Sequence, residues 1–162
     1  MTKPSAPPLP LRIGVIGSHA CGEEIAAAAR RVGQLIAEAG AVLVCGGLGG
    51  VMEAASRGAR DAGGITIGIL PGDDAGAANP GVQIPIASGL GEARNVVIVR
   101  SADAVVGIAG GWGTLSEAAL CLKNRVPLIL LKSELPPLPV PSTDSPESAV
   151  SWALEQAQAR RR

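Results

Sequence analysis

Apolar residues are gathered into runs of five or six, and most runs are followed by a longer stretch whose apolar positions recur every three to four residues. The runs Leu11–Ile16, Ala41–Cys45, Ile65–Leu70, Val82–Ala87, Ala104–Ile108 and Val126–Leu131 predict strands. The stretches Glu23–Ala39, Val51–Ala62, Gly91–Ser101 and Thr114–Lys123 predict helices. In the first helix Ile25, Ala28, Ala29, Val32, Leu35, Ile36 and Ala39 share one stripe, and Gly40 stops it. Strands that are apolar throughout, alternating with helices, predict a parallel sheet covered on both faces. The fold class is therefore α/β, a Rossmann-like doubly wound parallel sheet of about six to seven strands. Its ligand is expected at the carboxyl ends of the strands, near a reversal of strand order.

The pattern also divides the chain. Residues 1–10 hold four prolines and one lysine and read as a flexible arm, and 11–132 as a single domain. Residues 133–162 open on the stiff segment Leu135–Pro141. They close on a helix capped by Ser145 with Pro146 in its first turn, expected to pack on the domain or on a partner subunit. Arg160, Arg161 and Arg162 complement the carboxyl end of that helix.

Composition narrows the function classes. Lysines and arginines together number 14, as do the acidic residues, so the footprint of a nucleic-acid or membrane-surface protein is missing. Two tryptophans are the only aromatics, and such scarcity removes base-stacking platforms. No apolar stretch reaches the ~20 residues of a membrane-spanning helix. Cys21, Cys45 and Cys121 have neither disulfide nor zinc spacing, and the expected location is the cytoplasm.

The glycines have addresses. Gly17-Ser18-His19, Gly46–Gly50 and Gly110–Thr114 all lie where a predicted strand gives way to a helix. Free N–H groups and the positive dipole end of a helix favour phosphate there, and glycine lets it approach. Tight turns and close helix–sheet packing would use the same glycines. No Gly-Lys-Ser/Thr follows any turn, and no GxGxxG follows the first strand, so neither a P-loop nor a standard dinucleotide fingerprint is present. Thr114-x-x-Glu117 reads equally as a capping box or as a hydroxyl and carboxylate serving a ligand. Arg94 either holds a phosphate, or orients Glu117 and a ligand, or pairs with Glu92 or Asp103 at the surface. Asn95 either binds ligand or bonds locally. Asp73 and Asp74 read as a solvated turn, with reach to a ribose or a metal as the alternative, and His19, the single histidine, lies in a loop facing the expected cleft.

The runs Gly46-Gly47-Leu48-Gly49-Gly50-Val51-Met52-Glu53, Gly68-Ile69-Leu70-Pro71-Gly72, Arg94-Asn95 and Gly110–Glu117 resemble the LONELY GUY ("possible lysine decarboxylase") superfamily, over Arg12 to Leu131. In its cytokinin-activating branch the resemblance implies a nucleoside 5′-monophosphate phosphoribohydrolase, with Arg94 and Glu117 as catalytic residues. The branch motif begins Pro-Gly-Gly where this chain has Ala109, and its arginine precedes lysine where this chain has Asn95. Those departures are more similar to the small subgroup resembling molybdenum cofactor carrier proteins, which bind a phosphorylated pterin. No pattern suggests a pyridoxal-bearing lysine. The resemblance thus implies a phosphorylated small molecule as partner, molybdenum cofactor or a nucleotide monophosphate, with no cofactor required, no metal and a homodimer or homotetramer. The ligand-holding candidates are Gly17, Ser18, Gly46, Gly47, Gly49, Met52, Asn95, Gly110, Gly111, Gly113 and Thr114.

Overall fold

A computed structural model describes residues 7–162. Most of the expected N-terminal arm lies outside the described residues. The strands are β1 (Arg12–Gly17), β2 (Val42–Cys45), β3 (Thr66–Leu70), β4 (Ile84–Ala87), β5 (Ala104–Ile108), β6 (Leu128–Leu131) and β7 (Ser142–Thr143). The helices are α1 (Glu23–Glu38), α2 (Val51–Asp61), α3 (Arg94–Ser101), α4 (Trp112–Asn124) and α5 (Pro146–Arg160). All seven strands pair in parallel, in the order β4-β3-β2-β1-β5-β6-β7.

Each central strand is buried on both faces, so its side chains divide between two cores. In β5, Ala104, Val106 and Ile108 join the layer of α1, α2 and α5, while Val105 joins that of α3 and α4. Helices α1 and α2 touch backbone to backbone. A Cβ on Gly33 would collide with the Ala55 carbonyl, and one on Gly58 with the Arg30 carbonyl. That contact fixes where α2 begins, and α2 begins at the cleft described below. No helix among the described residues is long and apolar enough to cross a membrane.

The structure corrects several boundaries. The strand expected from Val82 starts at Ile84, because Val82 N–H is drawn into a turn with the Asn79 carbonyl. Residues Gly91–Ala93 form a 3-10 turn ahead of α3, and α4 starts at Trp112 rather than Thr114. The Pro-rich segment ends in a strand that was not expected. Pro141 and Thr143 carbonyls accept from Leu130 N and Lys132 N at 2.9 and 3.0 Å, adding β7 to the sheet edge. Ser145 caps α5, its hydroxyl accepting from Ser148 N at 3.2 Å, and α5 packs on α1, β5 and β6.

The far end of α5 is tied down by charge at the amino edge of the sheet. The buried Asp103 carboxylate accepts from Arg12 N at 2.8 Å, from Arg12 Nη2 at 3.1 Å and from Arg161. Arg161 also donates to the Leu9 and Pro10 carbonyls, and Arg160 to the Ala102 carbonyl. Burial alone would raise the Asp103 pKa, but the bonds from Arg12 and Arg161 win and hold it below the usual range. Asp103→Ala leaves these donors unpaired and is expected to cost ~1–3 kcal/mol in urea unfolding at pH 7. Because the depressed carboxylate stabilises only while ionised, the deficit is expected to shrink as the pH falls below 4.

Candidate functional site

The sheet reverses direction between β1 and β5, where Gly17 lies beside Ile108 at the carboxyl ends. The chain leaves these two ends toward opposite faces, and a cleft of about 670 Å³ opens between them, a size typical of small-molecule sites. The turns around it interlock. The Ser18 carbonyl accepts from Val51 N at 3.0 Å, joining the turn after β1 to the start of α2. Gly50, at φ +63°, caps α2 against the His19 backbone, where any side chain would clash.

Helix α4 begins at the edge of this cleft without a side-chain cap. Gly111 is its N-cap residue, and its first backbone bond runs from Leu115 N to the Gly111 carbonyl at 2.9 Å. The amides of Trp112, Gly113 and Thr114 therefore have no intrahelical acceptor. The capping-box reading fails for the same reason: Thr114 is the third helical residue, not the cap. Its hydroxyl is buried and has no hydrogen-bond partner. Glu117 follows one turn later and is also buried.

Ala109, just before this turn, stands at φ +50°, in the left-handed region. A proline ring holds φ near −65° and could not take that conformation. The departure from Pro-Gly-Gly is thus a difference in backbone path as well as in side chain.

Arg94 enters from the first turn of α3. Its guanidinium fills the space over Gly46, where a Cβ would collide with Nη1, and Nη1 donates to the Ile69 carbonyl at 2.8 Å. It is buried, and neither of the surface pairings considered for it forms; Asp103 is occupied by Arg12 and Arg161. Arg94 Nε is buried without a partner. No hydrogen bond or ion pair among the described residues joins Arg94 to Glu117, although each feels the other's charge. Burial pushes the Glu117 carboxyl up to about 7, against the opposing pull of Arg94. Burial, reinforced by Glu117, pushes the Cys121 thiol behind it up to about 12, and burial also raises Cys45.

Of the sequence candidates, Gly17, Ser18, Met52, Arg94, Asn95, Gly111, Gly113, Thr114 and Glu117 line the cleft. Gly46, Gly47, Gly49 and Gly110 do not. Gly46 makes room for Arg94, and the Gly47 carbonyl accepts from Asn79 N at 2.9 Å. Gly110 packs against Leu135 of the Pro-rich segment. His19, whose loop was expected to face the cleft, lines it too, and Trp112, Leu48, Pro71, Ala20 and Glu92 complete the lining, Trp112, Leu48 and Pro71 from inside the quoted motifs. Asp74 caps a short turn, accepting from Gly76 N at 2.8 Å, and neither it nor Asp73 reaches the cleft.

The Glu117 shift has a measurable sign. An unfolded glutamate ionises near 4.5, so between there and about 7 the unfolded chain releases a proton that the native state retains. Stability is expected to fall by on the order of 3 kcal/mol across that interval. Glu117→Gln should abolish this part of the slope, read from denaturant midpoints at pH 5 and pH 7.5.

Comparison with known proteins places this geometry. A molybdenum cofactor binding protein from the phototrophic bacterium Rippkaea orientalis superposes with a TM-score of 0.85 at 40% identity, covering 91% of this chain and 97% of that one. The molybdenum cofactor carrier protein of Chlamydomonas reinhardtii gives 0.83 at 34% identity, covering 93% and 99%. An uncharacterized protein of Archaeoglobus fulgidus is 44% identical over 150 residues, 91% of this chain and 97% of its own length. The model of one family matches residues 10–159, through every strand, every helix and the whole cleft: the chain belongs to the SLOG cluster4 family.

Proposed function

We propose that this protein binds and carries a phosphorylated small molecule in the cleft between β1 and β5, with molybdenum cofactor or a related pterin phosphate as the favoured class. The observation that carries the reading is the pair of buried, unpartnered donors, Arg94 Nε and Thr114 Oγ1, in residues that line one cleft beside an uncapped helix start. Buried polar groups are rarely left unmatched, and here an oxyanion would satisfy both. The amides of Trp112, Gly113 and Thr114 supply further donors and the positive end of the α4 dipole. Glu117 repels an anion only when ionised, and burial keeps its proton on up to about pH 7. Similarity to the two molybdenum cofactor proteins supports the choice of ligand class. Ala109, at φ +50°, holds a conformation that the proline of the hydrolase motif could not adopt.

A second reading, hydrolysis of nucleoside 5′-monophosphates, is favoured by one observation. A carboxyl poised near neutral pH, in the same cleft as a buried arginine, suits proton transfer to a departing base. Arg94 would then fix the substrate while Glu117 serves the ribosyl carbon.

Titration with molybdenum cofactor, a pterin phosphate and AMP is expected to give saturable binding of at least the first two. Thr114→Val, nearly isosteric, should weaken that binding roughly 10-fold by removing one hydrogen bond to a charged group. Saturable binding by none of the three would overturn the carrier reading. Incubation with AMP decides the second reading. Release of ribose 5-phosphate that Glu117→Ala abolishes would support it, and intact AMP would refute it.

A further inference from the structure

Three polar side chains of the cleft, Thr114, Arg94 and Glu117, are buried, whereas the indole of Trp112 is 86% exposed. Tryptophan carries about 150–250 Å² of side-chain surface and is rarely left to water. Trp112 is the first residue of α4, and helical side chains lean toward the amino end. Its ring therefore stands at the mouth of the cleft, on the same first turn as the free amides and the Thr114 hydroxyl. The lining also includes Leu48, Met52 and Pro71, which carry no charge and no side-chain donor, and the exposed Glu92. Buried donors with a flat aromatic beside them match a ligand that is anionic at one end and flat at the other.

We propose that Trp112 is a stacking platform for a planar heterocycle, so that the cleft selects phosphate monoesters carrying such a ring over ringless sugar phosphates. The proposal rests on the phosphate reading above and adds a specificity-determining residue to it. Stacking on an aromatic side chain is tolerant of ring identity because every flat heterocycle presents a π face. Pterin and purine monoesters are thus both admitted, and ribose 5-phosphate and inorganic phosphate gain nothing from Trp112.

The chain has only two tryptophans, and Trp152 is packed in part against the core beside α1. Trp152→Phe therefore leaves Trp112 as the single emitter. In that background a pterin phosphate and AMP are expected to quench the emission saturably, and ribose 5-phosphate is not. Calorimetry should give the ring-bearing esters an affinity on the order of 10-fold above ribose 5-phosphate, the size of one stacked ring. Trp112→Ala should bring that ratio close to one, and Trp112→Phe should restore most of it.

A ratio unchanged in Trp112→Ala would overturn the proposal, as would equal quenching by ring-bearing and ringless esters. So would Trp112 emission already shielded from acrylamide without ligand, with Trp112→Ala altering the sedimenting species, since the indole would then be covered by a second copy. The two levels separate cleanly. If inorganic phosphate and ribose 5-phosphate bind without any preference for rings, the stacking role alone falls. If no phosphate-bearing probe binds, the carrier reading falls and the stacking role with it.

Discussion

Pairing of β1 on one side with β2 and on the other with β5 is the constraint from which the rest of the molecule follows. A parallel strand can be extended only through crossovers, and crossovers of one hand wind helices onto opposite faces when the chain reverses direction. At that reversal the carboxyl ends of β1 and β5 lie side by side while their helices depart from each other. The gap between them cannot be filled by either helix. The sheet thus creates the cleft before any particular side chain is considered, and what lies in it is decided by the turns.

Those turns trade backbone space for charge. Gly46 has no side chain, so a guanidinium from α3 can sink beside the end of β2 and bond to the Ile69 carbonyl near the end of β3. A buried arginine with one nitrogen unsatisfied is costly unless something later meets it. Glu117 stands close enough to feel that charge yet forms no bond with it. Direct pairing would cancel both groups. Held apart, each keeps its capacity to interact with a third partner, and burial sets the carboxyl close to the pH at which its charge can be switched.

The fold was legible because its signal is long and redundant. Six apolar runs at strand length, four of them followed by helical spacing, admit one architecture. Single-residue features were not legible in the same way. Ser142–Thr143 carries no apolar run, and two backbone bonds to β6 suffice to make it a strand. Thr114-x-x-Glu117 satisfies a capping box in pattern, and only the two-residue earlier start of α4 shows that the threonine is free. The turn Gly46–Gly50 read as part of the ligand cradle. Its glycines instead serve Arg94 and the loop carrying Asn79, a tertiary use that no local pattern distinguishes. Conversely, Arg94 and Glu117 were identifiable from the residues and motifs, but their burial, which sets their chemistry, depends on contacts far along the chain.

The left-handed backbone at Ala109 bears on how such a site changes over evolutionary time. Proline codons lie one base change from alanine codons, so the substitution is offered repeatedly by mutation. Here it would demand a rotation of φ by more than 100° at the root of the α4 turn, moving Gly110 and the contact with Leu135 along with it. Drift between the two versions of the motif is therefore not a matter of one residue. At this position a proline would ask the turn before α4 and its contact with the strap beyond β6 to shift together.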